Sequence, residues 1–491
     1  MLQPRNLTRL LLLTIAVSTV YAQEVIQSGN AQRGASATRP ASRPNGYIVQ
    51  FAKGTSQGAR ALAAVAAGAT VNYIYANVDA IAVTVPNENA LNSLKRHGAV
   101  TSVAPDFIVE AAVVRANAKP PRPPSGGGGG TEPPPSLGFS TSQQLSYEVQ
   151  RVGIPAAGSD GTGIGIAILD SGIDFNHPDL APAANASGTA FNAISPGSSC
   201  QDDGGHGTHV SGLAAATNNT IGIVGTAPAA KLYCVKVLNS ALSGADSQLM
   251  AGLDWVIQNR ALVSPPIRVV NMSLGRPLDA GETLSNSVFR PLIQTLYNAG
   301  VVVVAAAGNN PNLEIAQTIP AGFPEVISVA STTANNGIRT CLLLGLSSLG
   351  PVSADTASGF TTDGAGVTVS APGEERSDIV TLGSFGCVGL EYGTLSTTNS
   401  IGGVSRKLVP GLYEARGTSF SAPLVSGVVA RVMQKLLVPN TANSAEVEGI
   451  RSWIQTNAVR KTVAPLDHPW AGVINDYTFD GIREGIAQAP Q

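Results

Sequence analysis

The sequence predicts a three-layer α/β domain, a mostly parallel sheet with helices on both faces, preceded by a small α+β unit. Three observations carry this. From about Thr141 onward, short near-continuous apolar runs alternate with helical stretches, the pattern of parallel strands buried on both sides. Ahead of them, Asn45 to Ala112 has a strand and helix pattern of its own. Between the two, Lys119 to Pro135 is proline-rich and holds the consecutive glycines Gly126 to Gly130, from which no packed core can form. A chain of 491 residues is too long for one ordinary core, and 43% hydrophobic against 13% charged residues suits a packed protein rather than a disordered one. The formal net charge is −2 and no Lys/Arg run is present, which argues against a nucleic-acid partner.

In chain order, residues 1–22 read as a signal peptide. Arg5 and Arg9 supply the positive end, Leu10 to Val20 is an apolar run too short to span a bilayer comfortably, and Val20-Tyr21-Ala22 offers a cleavage site. The protein is therefore expected to be secreted, extracellular or periplasmic, with no membrane contact after signal cleavage. Residues 23–44 are polar and read as a flexible segment. Within 45–112, Tyr47 to Phe51 alternates like a strand and Gln57 to Ala67 is an Ala-rich helix. Val71 to Val85 carries alternating apolar residues with a turn near Asn77 and Asp79. Asn87 to Gly98 is a second helix with Leu91 and Leu94 inward, and Val100 to Val109 a closing strand. Strand-helix-strand-strand-helix-strand is the split βαβ order of a ferredoxin-like unit. Residues 113–140 form a linker open to proteolysis.

The main domain is assigned to 141–485, with 486–491 as a C-terminal tail. Its strands are Ile164 to Leu169, Lys231 to Leu238, Ile267 to Met272, Val301 to Ala307 and Val326 to Ala330. Its helices are His206 to Ala216, Ser247 to Ala261, Val288 to Asn298 and Thr418 to Leu437. Sites in such folds gather at the carboxyl ends of the strands, where Asp170 and Asn309 fall.

Breaking a peptide bond needs a nucleophile, a base, a group that fixes the base, and donors for the oxyanion. Of five histidines, His206 follows Gly204-Gly205 at a helix start, where its ring can reach other segments, whereas His209 lies one turn deeper and reads as a packing residue. Asp170 ends a buried strand and needs a partner, for which a histidine is the natural choice. Ser419 opens the long helix, at the positive end of its dipole. Asp202 and Asp203, just before His206, read as helix caps or solvent-facing groups.

Asp170-Ser171-Gly172-Ile173-Asp174, His206-Gly207-Thr208-His209-Val210-Ser211-Gly212 and Gly417-Thr418-Ser419-Phe420-Ser421-Ala422-Pro423 resemble the three signatures of the subtilisin family of serine peptidases, in that family's Asp, His, Ser order. Ala305-Ala306-Ala307-Gly308-Asn309 is a fourth match. The resemblance implies a secreted serine endopeptidase with the triad Asp170, His206 and Ser419, and an oxyanion hole made by the Asn309 side chain and the Ser419 backbone N–H. Arg416, where the family usually has a small residue, and Phe420, where Met is common, depart from the pattern without removing a catalytic atom. The leading unit resembles the family's inhibitory propeptide, which assists folding and blocks the site until removed. A zymogen is thus expected, with the maturation cut between about Arg115 and Ser142.

By the same resemblance, protein and peptide substrates lie extended between Leu242-Ser243-Gly244 and Ser273-Leu274-Gly275, a main-chain mode nearly indifferent to sequence. Ala305, Ala306, Ala307 and Gly308 line the first pocket with Ser273 to Gly275. They carry no charge, so an apolar P1 residue is expected, and the pocket floor falls within Leu313 to Thr318. Thr217-Asn218-Asn219-Thr220-Ile221-Gly222-Ile223 resembles a family calcium loop. The implied ligands are the carbonyls of Thr217, Ile221 and Ile223 and the side chains of Asn219, Asp179 and Gln143. A turn without an ion is the plainer reading of the same residues. Four cysteines in an exported chain read as two disulfides with three possible pairings. Cys200 with Cys234 and Cys341 with Cys387 are favoured, the first pair lying near one side of the sheet and the second in segments that look inserted. A monomer is expected. The rival functions are a catalytically silent binding protein of the same fold, a narrow processing peptidase, which an uncharged pocket disfavours for dibasic sites, and an esterase, for which Asn271 to Gly275 lacks the first glycine of a nucleophile elbow.

Overall fold

The computed structural model describes residues 40–114, 143–155, 158–180, 184, 189–337, 352–381, 387–392, 394–397, 406–409, 412–438, 443–467 and 482–491, with the backbone alone described within 376–414. The signal peptide, most of the flexible segment, residues 115–140 of the linker and Cys341 lie outside the described residues.

The leading unit runs β1 (Ser42–Phe51), α1 (Gln57–Ala66), β2 (Thr70–Ile74), β3 (Ala80–Thr84), α2 (Glu88–Arg96) and β4 (Val100–Ala111). Both helices start on side-chain caps, Ser56 accepting from the Ala59 N–H and Asn87 from the Ala90 N–H. The antiparallel order is β4-β1-β3-β2, and the helices bury Ala63, Ala64, Leu91 and Leu94 against Val49, Phe51, Ile81 and Val83. The strand starts earlier than the sequence suggested, at Ser42 inside the segment read as flexible.

The main domain opens with α3 (Tyr147–Arg151), β5 (Gly165–Asp170), β6 (Phe191–Asn192), α4 (His206–Ala215), β7 (Lys231–Lys236), β8 (Ser243–Ala245) and α5 (Asp246–Asn259). It continues with β9 (Ile267–Met272), β10 (Leu274–Pro277), α6 (Arg290–Asn298), β11 (Val302–Ala306), β12 (Thr318–Ile319), β13 (Val326–Thr333) and β14 (Val369–Glu374). Two small antiparallel sheets follow, from β15 (Arg376–Thr381) and β16 (Cys387–Tyr392), and from β17 (Thr394–Thr397), β18 (Arg406–Val409) and β19 (Leu412–Ala415). Last come α7 (Thr418–Lys435) and α8 (Ser444–Asn457).

The central sheet is parallel throughout, in the order β14-β13-β11-β9-β5-β7-β6. Its layering follows from the two-residue period of a strand. Ile166, Ile168, Val302, Val304 and Val329 face α4, α7 and α8. The alternate residues Ala167, Leu169, Val303 and Ala305 face α5 and α6. Both faces being largely apolar, the strands read as near-continuous apolar runs, which is why they were visible in the sequence.

Residues 486–491, assigned as a C-terminal tail, lie against the domain: Ile486 bridges Ser370 and Val459, the Ala489 N–H donates to the Val152 carbonyl at 2.7 Å, and Ile486, Ala487 and Ala489 are buried. The cost of leaving apolar side chains and edge backbone in water draws the segment into the domain.

Candidate active site

β5 delivers Asp170 to the carboxyl end of the sheet, and α4 begins beside it. Gly205, the residue before α4, has φ of 80°, a left-handed turn that favours glycine and releases His206 at the helix start. The His206 Nδ1 lies 2.8 Å from the Asp170 Oδ1, with both side chains fully buried. His206 Nε2 is buried and has no hydrogen-bond partner among the described residues, so the outward nitrogen of the ring is uncommitted. The Phe420 ring packs against His206 and His209, at 5.4 and 4.6 Å between centroids. His209 thus takes the packing place expected of it.

Asp202 proves to be the clamp of this turn. Its Oδ1 accepts from the N–H groups of Gly204 and Gly205, both at 2.9 Å, and from the Ser171 hydroxyl at 2.8 Å. Its Oδ2 accepts from the Thr208 N–H at 2.9 Å and from the Thr208 hydroxyl. Asp203 is half-exposed and pairs with Lys236 at 2.6 Å.

Ser419 stands in the first turn of α7, after Gly417 at φ of 145°. A Cβ at 417 would lie 2.5 Å from the Ala112 carbonyl oxygen and 3.0 Å from Asn309 Nδ2, so glycine is required both by conformation and by close approach. Pro423 lies inside α7 and cannot donate to the Ser419 carbonyl one turn back. The Ser273 hydroxyl donates to that carbonyl instead, at 2.7 Å, and the Ser419 hydroxyl donates to the Ser273 carbonyl at 2.9 Å. Asn309 Oδ1 accepts from the Thr418 N–H at 3.0 Å and from the Thr418 hydroxyl at 2.9 Å. A backbone N–H can only donate, which fixes the amide's orientation and leaves Nδ2, buried and without a partner among the described residues, as the free donor. Thr418 was not singled out from the sequence, although its place next to Ser419 was the available signal.

The cleft between β8 and β10 is filled by the leading unit. β4 pairs antiparallel with both: Val109 and Glu110 lie opposite Gly244 and Ser243, and Glu110 and Ala111 opposite Gly275 and Leu274. The Ala111 N–H donates to the Leu242 carbonyl at 3.1 Å and the Ala112 N–H to the Ser273 carbonyl at 3.0 Å. Six of the sequence-predicted substrate residues, Leu242 to Gly244 and Ser273 to Gly275, therefore flank one extended strand. Beside Ala111 to Val113 opens a cavity of about 320 Å³ lined by Gly275, Ala306, Ala307, Gly308, Asn309 and Thr318 among others. Leu313 and Thr318, in the stretch expected to hold its floor, are among its walls. Ala305 is a correction: it is fully buried in the core with α6 and does not line the cavity, whose wall begins with Ala306 at the end of β11.

The walls are not wholly uncharged either, since Arg276 reaches them. Its guanidinium is committed to Asp246 at 2.6 Å and Glu282 at 2.6 Å and lies 4.7 Å from the centre of the Phe107 ring. Burial pushes the Asp246 carboxyl up to about 6 despite that guanidinium.

The leading unit also completes α5. Ala245 precedes this helix and has no side-chain acceptor. Asp106 supplies one, accepting from the Ser247 N–H at 2.8 Å and the Ser247 hydroxyl at 2.6 Å. Asp254 in turn accepts from the N–H groups of Ala76 and Asn77, at 2.9 and 2.8 Å. Burial raises the Asp106 carboxyl above its usual range, against the lowering effect of the Ser247 hydrogen bonds and Arg43.

Away from the cleft, the Gln143 amide nitrogen lies 2.8 Å from the Thr217 carbonyl, 3.2 Å from that of Ile223 and 3.3 Å from Asn219 Oδ1. Asp179 accepts from the Ile223 N–H at 2.9 Å and from the Asn219 amide at 3.3 Å. The Ile221 N–H donates to Asn219 Oδ1 at 2.8 Å. All six residues of the predicted loop site are thus gathered in one place. A disulfide joins Cys200 to Cys234, with Cα atoms 6.2 Å apart. Cys387 lies on β16, and its proposed partner Cys341 is outside the described residues.

Among the described residues, no helix is long and apolar enough to cross a membrane. The sequence model of the subtilase family, Peptidase_S8, matches residues 161–473. Subtilisin E of Bacillus subtilis (strain 168) is 30% identical over 299 residues, 60% of this chain and 62% of that protein. Subtilisin of Bacillus pumilus is 32% identical over 299 residues, 60% of this chain and 86% of that protein. The match to subtilisin E and its nearest companions thus spans about three-fifths of their length. In structure, the chain resembles fervidolysin of Fervidobacterium pennivorans, a keratinolytic enzyme related to subtilisin, with a TM-score of 0.62 at 21% identity, covering 92% of this chain and 61% of that one; at this identity the likeness shows the fold. With a family match over most of the main domain and the parallel sheet that carries it, the chain belongs to the subtilase family.

Proposed function

We propose that the protein is a secreted serine endopeptidase, made as a zymogen, that cleaves extended protein and peptide substrates with an apolar P1 residue preferred. The observation that carries this is the buried Asp170–His206 pair at 2.8 Å beside a helix start where the Ser419 N–H donates to a peptide carbonyl, that of Ala112, at 3.0 Å. In the proposed reaction His206 Nε2 takes the Ser419 hydroxyl proton as Oγ attacks the scissile carbonyl carbon. Asp170 holds the ring by Nδ1 and stabilises its positive charge. The oxyanion forms against the Ser419 N–H and the free Nδ2 of Asn309. His206 then returns the proton to the leaving amine, and water repeats the cycle on the acyl ester. In the proposed reaction the Ser419 hydroxyl leaves the Ser273 carbonyl it now meets at 2.9 Å and turns towards Nε2.

The leading unit is read as inhibitor and folding aid, because β4 occupies the strand position of a substrate and Asp106 caps α5. Calcium is read as a structural partner of the Gln143, Asp179, Thr217, Asn219, Ile221 and Ile223 group. The fit is in the donor set: three oxygens, two of them carbonyls, converge on the Gln143 amide, whose own oxygen joins them if the amide turns over. A bound ion would tie the chain near 143 to the loop after α4.

Ser419→Ala should abolish casein hydrolysis and labelling by a fluorophosphonate probe in a chain that still folds. Labelling that persists in this variant would sink the nucleophile assignment. A folded wild-type protein that neither labels nor hydrolyses casein would favour the silent binding protein.

A further inference from the structure

The path of the chain through the cleft singles out one peptide bond. From Glu110 to Val114 the main chain is held step by step. Glu110 and Ala111 pair with β10, the Ala112 N–H donates to Ser273, and the Val114 N–H donates to the Arg416 carbonyl at 2.9 Å. Between these anchors, the carbonyl that meets the Ser419 N–H is that of Ala112. A Cβ at Gly417 would touch that same oxygen and Asn309 Nδ2, which places the free amide donor on the same side. The Ser419 Oγ belongs to the residue whose N–H holds this oxygen, so the carbon it would attack is the carbonyl carbon of residue 112. The amine side is held too, through Val114, and among the described residues the Val113 N–H donates no hydrogen bond that cleavage must break.

We propose that the precursor's first cut is its own Ala112–Val113 bond, upstream of the Pro/Gly-rich linker rather than within it. This rests on Ser419 being the nucleophile. The Oγ–carbonyl carbon bond of Ala112 forms and the bond to the Val113 nitrogen breaks. The hydroxyl proton passes through His206 to the Val113 amine, and water then releases Ala112 as a carboxylate and returns Ser419. The leading fragment therefore ends at Ala112. The mature chain begins at Val113 and carries the proline- and glycine-rich run of 119–135 as an N-terminal arm until later trimming.

The experiment follows the full chain by intact mass from the first minutes of maturation. Reading the C-terminus of the leading fragment makes the result independent of later trimming at the new N-terminus. The expected earliest fragment ends at Ala112, and Ser419→Ala yields none. Val113→Pro should suppress that fragment, since proline on the amine side resists cleavage and its missing N–H removes no hydrogen bond made among the described residues. An earliest fragment ending elsewhere, with casein hydrolysis intact, overturns the bond assignment and leaves the peptidase reading standing. An active enzyme that stays joined at 112–113, or Val113→Pro cut there at the wild-type rate, overturns it as well. A chain that is neither cut nor active on casein overturns both.

Discussion

Ala112 puts only a methyl group beside a cavity of about 320 Å³. The leading unit therefore leaves apolar contact unmade at the point where it meets the site, and Ala112→Leu should supply it. Leucine adds three carbons, about 2.4 kcal/mol at about 0.8 kcal/mol per buried CH2. Ordering the longer side chain returns about 0.5–1 kcal/mol. The net gain of about 1.5 kcal/mol corresponds to roughly tenfold tighter binding. The assay is inhibition of peptide hydrolysis by the leading fragment ending at residue 112, which has its own core around Val49, Phe51, Ile81 and Leu94. A112L should lower the inhibition constant about tenfold, and the full-length variant should show a longer lag before activity appears. An unchanged or raised constant would mean that the residue 112 side chain does not address this cavity, and the apolar P1 preference would lose its basis.

Excess chelator should lower the melting temperature and speed autolysis, and Asn219→Ala should remove the chelator's effect; identical melting curves with and without chelator count against the ion. Removing the Cys200–Cys234 bridge, which closes a span of 34 residues, should cost about 3–4 kcal/mol on the chain-entropy argument, read as a lower melting temperature in the C200A/C234A variant. For Asp106 the carboxyl is raised when docked, so docking takes up a proton. The leading fragment should bind most tightly below the ordinary value of 3.8 and progressively less so as pH rises through the docked value. Calorimetry on the Ser419→Ala domain should show this slope, and Asp106→Asn should flatten it; a slope that survives the substitution assigns it to another group.

Much of this was legible because the strands of the central sheet are buried on both faces. Ile267–Met272 was readable to the residue, since its apolar residues serve both faces, while Arg268 and Asn271 are buried with partners in Glu446 and Ser426. The candidate site was traceable in the sequence because the proposed chemistry needs fixed residue types at strand ends and helix starts, as at Asp170, His206 and Ser419. What was missed shares one cause: it depends on contacts between distant segments. Short strands such as β10 and β12 have no period to detect, and they exist because β4 and each other satisfy their backbones. Ala305 was placed on the cavity wall with its neighbours, whereas it lies inside β11, fully buried in the core with α6, and the wall begins with Ala306 at the strand's end. Arg276 was not counted because the partners that neutralise it, Asp246 and Glu282, are brought in by a helix and a loop. The acceptor that caps α5 comes from Asp106, 141 residues away in another unit.

That last contact bears on how one strand would serve both of the roles proposed for the leading unit, folding and inhibition. β8 and β10 present unpaired edges, and α5 an uncapped start, to any state of the main domain that lacks the leading unit. β4 satisfies both at once: its 108–111 stretch pairs the two edges while Asp106, just before it, caps the helix. The two kinds of contact differ in what can replace them. A substrate strand restores the pairing of β8 and β10, because main-chain groups are common to all peptides. It brings no carboxylate to Ser247 unless its sequence happens to place one there. On the proposed reading, inhibition at the cleft is therefore open to competition by substrate, whereas the support given to α5 belongs to the leading unit alone. Substituting Asp106 should accordingly slow folding of the full chain more than it weakens the mature enzyme, and Ala112 substitutions should do the reverse, changing inhibition while leaving the folding rate alone.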